Sequence, residues 1–300
     1  MPKLFLRLFA PLLDFVLYGH LLLAAAAAAL TWSTGELLGQ RLPPTLPALA
    51  GAATLALYNF DGLVPYKRRQ PATSARSRWL QTHPRTLAGL ALGGLLATAP
   101  LAWQLLRAAP DAWLKLAPLV ALAVLYSVPV VPGRPRWRPL RDIPLAKGVL
   151  VAAVWTGVTV ALPARLGAPP VTAAALALLL TRRFLFVGTL TLVFDLRDVE
   201  KDAAVGTRTI PLVLGTRRTR WLGWALLVGC ALLRPLELVL LRNPMELSAG
   251  ATALLGLPLI AAAALVATAR PGRHDYYYAG LGDGALLLPA LAEWLIGLTG

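Results

Sequence analysis

Four of the chain's fourteen acidic residues, Asp195, Asp198, Glu200 and Asp202, fall within eight positions at the end of a long apolar run. On a helix continued past Val193, Asp195, Asp198 and Asp202 stand at i, i+3 and i+7 and share one face, with Arg197 and Glu200 pointing elsewhere. Three carboxylates on one face repel one another, and they face the negative end of the helix dipole, so a positive partner is required. One candidate is the set of nearby arginines in a solvated loop. The other is Mg²⁺, a hard cation held by a few carboxylates while water and substrate phosphates fill its remaining positions. The one-face spacing, at the mouth of a helical bundle, favours Mg²⁺.

A second polar set is YNFDGLVPYKRRQ, Tyr58 to Gln70. Asn59 and Asp61 are two apart, so they reach a common metal site only where the helix ends, which Gly62 and Pro65 allow. Lys67, Arg68 and Arg69 suit a diphosphate, and equally a lipid headgroup surface. Lys147, taken alone, reads as a snorkelling lysine, with phosphate binding as the alternative. Ionisable residues inside apolar segments are functional candidates by default. Arg183 and Asp283 are expected to face a central cavity, whereas Arg234 and Glu237 read as an i, i+3 structural pair.

The elements that must position these groups follow from composition. The chain is 57% hydrophobic and 14% charged, against about 25% charged in soluble domains. Its long Ala/Leu runs predict an all-α, polytopic membrane bundle around a central cavity. Nine spans are expected, at 12–32, 43–61, 86–107, 112–130, 146–163, 170–194, 219–241, 247–269 and 277–298. Residues 1–300 read as one integral membrane domain, and the N-terminal segment as a span rather than a cleaved leader. The polar stretches after spans 2 and 6 occupy matching places, which hints at a parallel repeat of four spans. Basic residues cluster before span 1 and between spans 2–3, 4–5, 6–7 and 8–9, while the opposite loops carry little beyond Arg41, Arg107, Arg165 and Arg242. The positive-inside rule then puts the N-terminus in the cytoplasm. The net charge of +15 resides in these short loops rather than on a solvent-facing domain, which argues against nucleic acid as a partner. One cysteine, Cys230, excludes an intramolecular disulfide and any cysteine-cluster metal site.

These residues resemble the UbiA-type intramembrane prenyltransferase superfamily. The strongest match is the second aspartate motif, DxxDxxxD, at Asp195, Asp198 and Asp202, with the trailing Gly206-Thr-Arg-Thr-Ile-Pro211. The YxxP turn Tyr126–Pro129, Lys147 at the start of span 5, and the Asp283-Gly284 pair of span 9 are similar as well. The resemblance implies a multi-pass protein of the inner (cytoplasmic) membrane. It implies Mg²⁺-dependent transfer of a polyprenyl group from an isoprenyl diphosphate to a hydrophobic acceptor, whether quinone-type, tetrapyrrole or lipid. On this footing Asp195, Asp198 and Asp202, with Asn59 and Asp61, hold metal. Lys67, Arg68, Lys147 and Arg208 neutralise diphosphate, and Tyr126 lines the cavity. The first motif departs from the family's NDxxDxxxD: on an Asn59 match, the later aspartate positions fall on Phe60, Leu63 and Lys67. That departure implies one metal in place of two, a lysine substituting for a cation, or a non-catalytic lipid- or isoprenoid-binding or transport protein on the same bundle.

Overall fold

The computed structural model describes residues 2–128, 132, 137, 139–241 and 249–298, without the side chains of residues 2–8, 66 and 67. Pro129 of the YxxP turn, the loop arginines Arg134, Arg136, Arg138 and Arg242, and the side chain of Lys67 therefore lie outside the described residues. The described chain is helical, and its one strand-like pairing is an isolated bridge between Arg41 and Ala168.

Helices α1 (Pro2–Tyr18) and α2 (Leu21–Leu37) form a pair bent by 51°, where a single straight span was expected. The cause is local. His20 takes a left-handed φ of 61°, and Gly19 leaves no room for a Cβ against the Phe15 carbonyl and Leu90. Helix α3 (Thr45–Leu63) matches the second expected span. The polar stretch after it contains two short helices, α4 (Pro65–Arg68) and α5 (Ala75–Thr82). A capping box starts α5: Ser74 Oγ accepts from the Ser77 N–H, and Ser77 Oγ accepts from the Ser74 N–H.

Helices α6 (Pro84–Ala108) and α7 (Ala112–Ser127) follow. Helix α8 (Ala146–Thr156), a π-helical turn at Gly157–Ala161 and α9 (Leu162–Leu166) run on as one span. Then come α10 (Ala173–Arg197), α11 (Val199–Val205) and α12 (Ile210–Leu214). Helices α13 (Thr216–Leu232) and α14 (Arg234–Leu241) make a further span, and α15 (Ala249–Thr268) another. The last apolar stretch is bent by 46° between Tyr277–Ala285, which includes α16 (Asp283–Ala285), and α17 (Leu288–Gly297). Among the described residues five helices are long and apolar enough to cross a membrane, or seven with each bent pair taken as one span. The two other expected spans coincide with α3, which carries Asn59 and Asp61, and with α7, only 16 residues long.

Helix α10 is the central post: 56% of its most apolar window is buried, against 11% for α6. It packs against α8, α13 and α15, and its Phe186, Val187, Leu190 and Val193 enter the main apolar core. Helix α6 packs on α3 and turns Leu92, Leu95, Leu96 and Trp103 outward, as a lipid-facing helix does.

Candidate active site

Between the helices lies a cavity of about 500 Å³, within the range of small-molecule sites. Helix α3 lines it with Leu46, Leu49, Ala53, Leu57 and Asp61, a stripe at helical spacing about 22 Å long. The early residues of that stripe are apolar, and the charged lining residues gather where α3 and α10 end and α8 begins. The cavity is thus a greasy channel closed by a charged head.

The head is built around Lys147. Its Nζ stands 3.1 Å from Asp195 Oδ1, 3.8 Å from Asp198 Oδ2 and 2.9 Å from Asp202 Oδ2. Two features bring it there. Leu145 takes a left-handed turn, and its N–H donates to the Arg208 carbonyl. Gly148 lets α8 approach α10, since a Cβ at that position would stand 3.1 Å from Thr191 Oγ1. The three aspartates do not share one continuous helix, as the spacing had suggested. Helix α10 ends at Arg197, Asp198 is the junction, and Asp202 belongs to α11. The break wraps the carboxylates around one point.

Arg197, expected to point elsewhere, turns back and forks Asp198 with bonds of 2.7 and 3.0 Å. Burial alone would raise the Asp198 carboxyl, but Arg197 and Lys147 outweigh it and hold its pKa well below the ordinary carboxylate range. Burial pushes the Asp202 carboxyl up, with Lys147 opposing and Asp198 adding to the rise. The Arg76 guanidinium is lowered, first by burial and then by repulsion from Arg197. Arg76 Nη2 lies 2.7 Å from His20 Nε2, and its backbone N–H donates to Asp275. Yet Arg76 Nε and Arg197 Nη1, both buried, make no hydrogen bond among the described residues. Both guanidiniums line the cavity and repel each other, and unsatisfied donors of this kind suit an anion.

Asp283, Tyr126 and Arg68 line the cavity, Arg68 at its exposed edge. Asp61 lines it too, bonded to Arg141 and to the Ser127 hydroxyl. Three expectations are corrected. Asn59 is fully buried and off the cavity wall, with its amide donating to the carbonyls of Gly19 and Leu55. Arg208 is exposed and also off that wall; its contribution is the carbonyl that anchors Leu145. Arg183 reaches Thr34 and Thr159 and lines a second, smaller cavity with Arg182, Arg234 and Glu237. There Glu237 pairs with both Arg182 and Arg234, extending the expected i, i+3 pair to a triad.

Sequence reading missed Arg76, Arg141 and Arg197. The Ser74–Ser77 capping box was the available signal for α5, and hence for an ordered Arg76; Arg141 had none. Among the described residues no trio of His, Cys, Asp or Glu is already gathered as a metal site. The three aspartates are gathered around an ammonium instead. Their oxygens are nevertheless the donors a hard divalent cation takes, and they already bracket one cationic point. Among the described residues the cavity is lined by six acidic groups (Asp61, Asp142, Asp195, Asp198, Asp202, Asp283) and six basic ones (Arg68, Arg76, Arg141, Lys147, Arg197, Lys201).

No curated protein matches the chain. Three solved structures share the fold. A UbiA homologue from Archaeoglobus fulgidus bound to DMAPP and Mg²⁺ is similar with a TM-score of 0.62 and 12% identity, over 94% of this chain and 98% of that one. The apo structure of a UbiA homologue from Aeropyrum pernix K1 gives 0.61 and 16%, over 92% and 95%. The A. fulgidus protein bound to GPP and Mg²⁺ gives 0.60 and 12%, over 94% and 99%. The UbiA prenyltransferase family itself matches residues 74–279, more than half of the sequence. The chain is a multi-pass membrane protein that belongs to the UbiA prenyltransferase family.

Proposed function

We propose that this prenyltransferase takes its prenyl group from an isoprenyl diphosphate and delivers it to a hydrophobic acceptor (a quinone-type aromatic, a tetrapyrrole or a lipid), with Mg²⁺ as cofactor. The observation that carries the reading is the gathering of Asp195, Asp198 and Asp202 around one cationic point, at the charged head of an apolar channel. The similar A. fulgidus structures hold DMAPP or GPP with Mg²⁺, which supports the same class of donor here. The basic loops favour a cytoplasmic N-terminus, and the reading places the protein in the inner (cytoplasmic) membrane.

In this reading the three aspartates would hold Mg²⁺, which would supply charge neutralisation for the departing diphosphate. Arg76 and Arg197 offer their unsatisfied N–H groups to diphosphate oxygens. Lys147, which pairs with these carboxylates, would add a further donor to the diphosphate, and Arg68 and Lys201 extend the basic rim. The bond from the allylic carbon to oxygen breaks with its electron pair leaving on the diphosphate. The acceptor's nucleophile captures the allylic cation and then gives up its proton. Leu46, Leu49, Leu116 and Leu119 line the apolar part of the cavity and keep water from that cation.

The test is thermal stabilisation of the purified, detergent-solubilised protein by a non-hydrolysable farnesyl or geranylgeranyl diphosphate analogue, with Mg²⁺ or EDTA. Stabilisation that requires Mg²⁺ and disappears in Asp198→Ala is the expected result. No Mg²⁺-dependent shift in a folded protein overturns the donor assignment and leaves a non-catalytic lipid-binding protein on the same bundle.

A further inference from the structure

On the α3–α7 wall, Asp61 is already committed. Arg141 Nη1 lies 2.6 Å from Asp61 Oδ1, and the Ser127 hydroxyl donates to the same oxygen at 2.7 Å. Asn59, the other expected metal ligand of this stretch, donates to the Gly19 carbonyl and lies off the cavity wall. Arg141 is 5% exposed, its guanidinium carbon lies 5.8 Å from the centre of the Tyr126 ring, and it lines the same cavity as Asp195 and Lys147. Its short helical turn, Leu140–Asp142, packs on both α7 and α8, so the group is held from two sides. A guanidinium bonded to a carboxylate and set over an aromatic ring is a fixed, permanently charged cation.

We propose that this Asp61–Arg141 clasp takes the place of a metal ion: the site binds one divalent cation, on Asp195, Asp198 and Asp202, and Arg141 supplies the second positive charge to the diphosphate. The inference rests on the donor reading above and adds a stoichiometry and a residue to it. Asp61 is then a positioning residue for Arg141 and not a metal ligand.

The test counts Mn²⁺, as a spin-active stand-in for Mg²⁺, on purified protein saturated with a non-hydrolysable geranylgeranyl diphosphate analogue. Paramagnetic resonance reads the number of ions and their mutual coupling. One uncoupled Mn²⁺ per chain is expected, and two coupled ions overturn the inference. Asp61→Asn is expected to keep the count at one and to weaken the analogue by about tenfold, as loss of an anchored charged donor does. A fall in Mn²⁺ affinity in that variant places Asp61 among the metal ligands and overturns it. Arg141→Lys, which keeps charge and pairing, is expected to retain more analogue binding than Arg141→Met; equal binding in those two and wild type also overturns it. Absence of any Mn²⁺ from the wild type sinks the donor reading itself, whatever Asp61 does.

Discussion

Lys147→Met isolates the contact that assembles the charged head. The lysine ammonium meets three carboxylate oxygens at 2.9–3.8 Å. At an effective dielectric of about 20, each contact is worth about 4–6 kcal/mol before desolvation is counted. Burial of the ions offsets most of that sum, and removing one partner from a buried set typically costs about 3–5 kcal/mol, because the remaining charges stay buried and now repel. Asp198 keeps its Arg197 fork, so the loss falls near the lower bound, about 3 kcal/mol. Methionine preserves most of the lysine stem's volume, which keeps the packing term small. For a chain of 300 residues, at about 2.1 cal/mol/K per residue, that loss lowers the melting temperature by about 5 °C. Mg²⁺ at about 100 times its dissociation constant returns about 2.7 kcal/mol. The assay is thermal unfolding of both proteins in detergent, in EDTA and across a Mg²⁺ titration without diphosphate. The variant is expected to melt lower in EDTA and to gain more from Mg²⁺ than the wild type, whose carboxylates already face an ammonium. Equal melting in EDTA, or an equal Mg²⁺ response, refutes the reasoning.

Three further outcomes follow from the same geometry. Gly148→Val forces α8 away from Thr191 and Asp195; stability should fall by about 1–3 kcal/mol, and diphosphate-analogue affinity by about tenfold or more as Lys147 is displaced, with Gly148→Ala milder in both thermal and binding assays. Glu237→Gln leaves Arg182 and Arg234 facing each other in the smaller cavity; thermal unfolding should register a loss of about 3–5 kcal/mol, while analogue affinity in the surviving folded fraction stays at the wild-type value. Arg208→Ala removes an exposed side chain but leaves the carbonyl that anchors Leu145; stability should change by less than about 0.5 kcal/mol, and an analogue titration should show no loss of affinity.

The parts of the molecule legible in its sequence are those written in local spacing. Hydropathy located the long helices, and i, i+3, i+7 spacing singled out Asp195, Asp198 and Asp202. The same spacing misjudged Arg197, because a straight helix turns it away, and the break at Asp198 returns it. Contacts between distant segments left no such trace. Lys147 was visible as the first charge of a span, but nothing in its neighbourhood tells that α8 runs beside α10, which depends on a missing Cβ at Gly148. Arg141 is 80 residues from the Asp61 it holds, in a loop whose basic character was accounted for by topology alone.

Asn59 carries this argument furthest. In the sequence it stands where a metal ligand of the first motif belongs. In the fold it stands beside the bend between α1 and α2. A helix that stops leaves carbonyls without their usual N–H partners, and in a membrane there is no water to supply one. The Asn59 amide donates to the Gly19 carbonyl at 3.0 Å, and its oxygen lies 3.4 Å from His20 Nδ1, the residue whose left-handed backbone makes the bend. His20 in turn meets Arg76 through its other nitrogen. A residue that the sequence places for metal fastens a helix break instead, and through His20 it sits one contact from Arg76, a cavity-lining residue whose Nε makes no hydrogen bond among the described residues. In the proposed reading, α3 acts on the diphosphate through guanidiniums it helps to hold, Arg76 by way of Asn59 and His20 and Arg141 by way of Asp61.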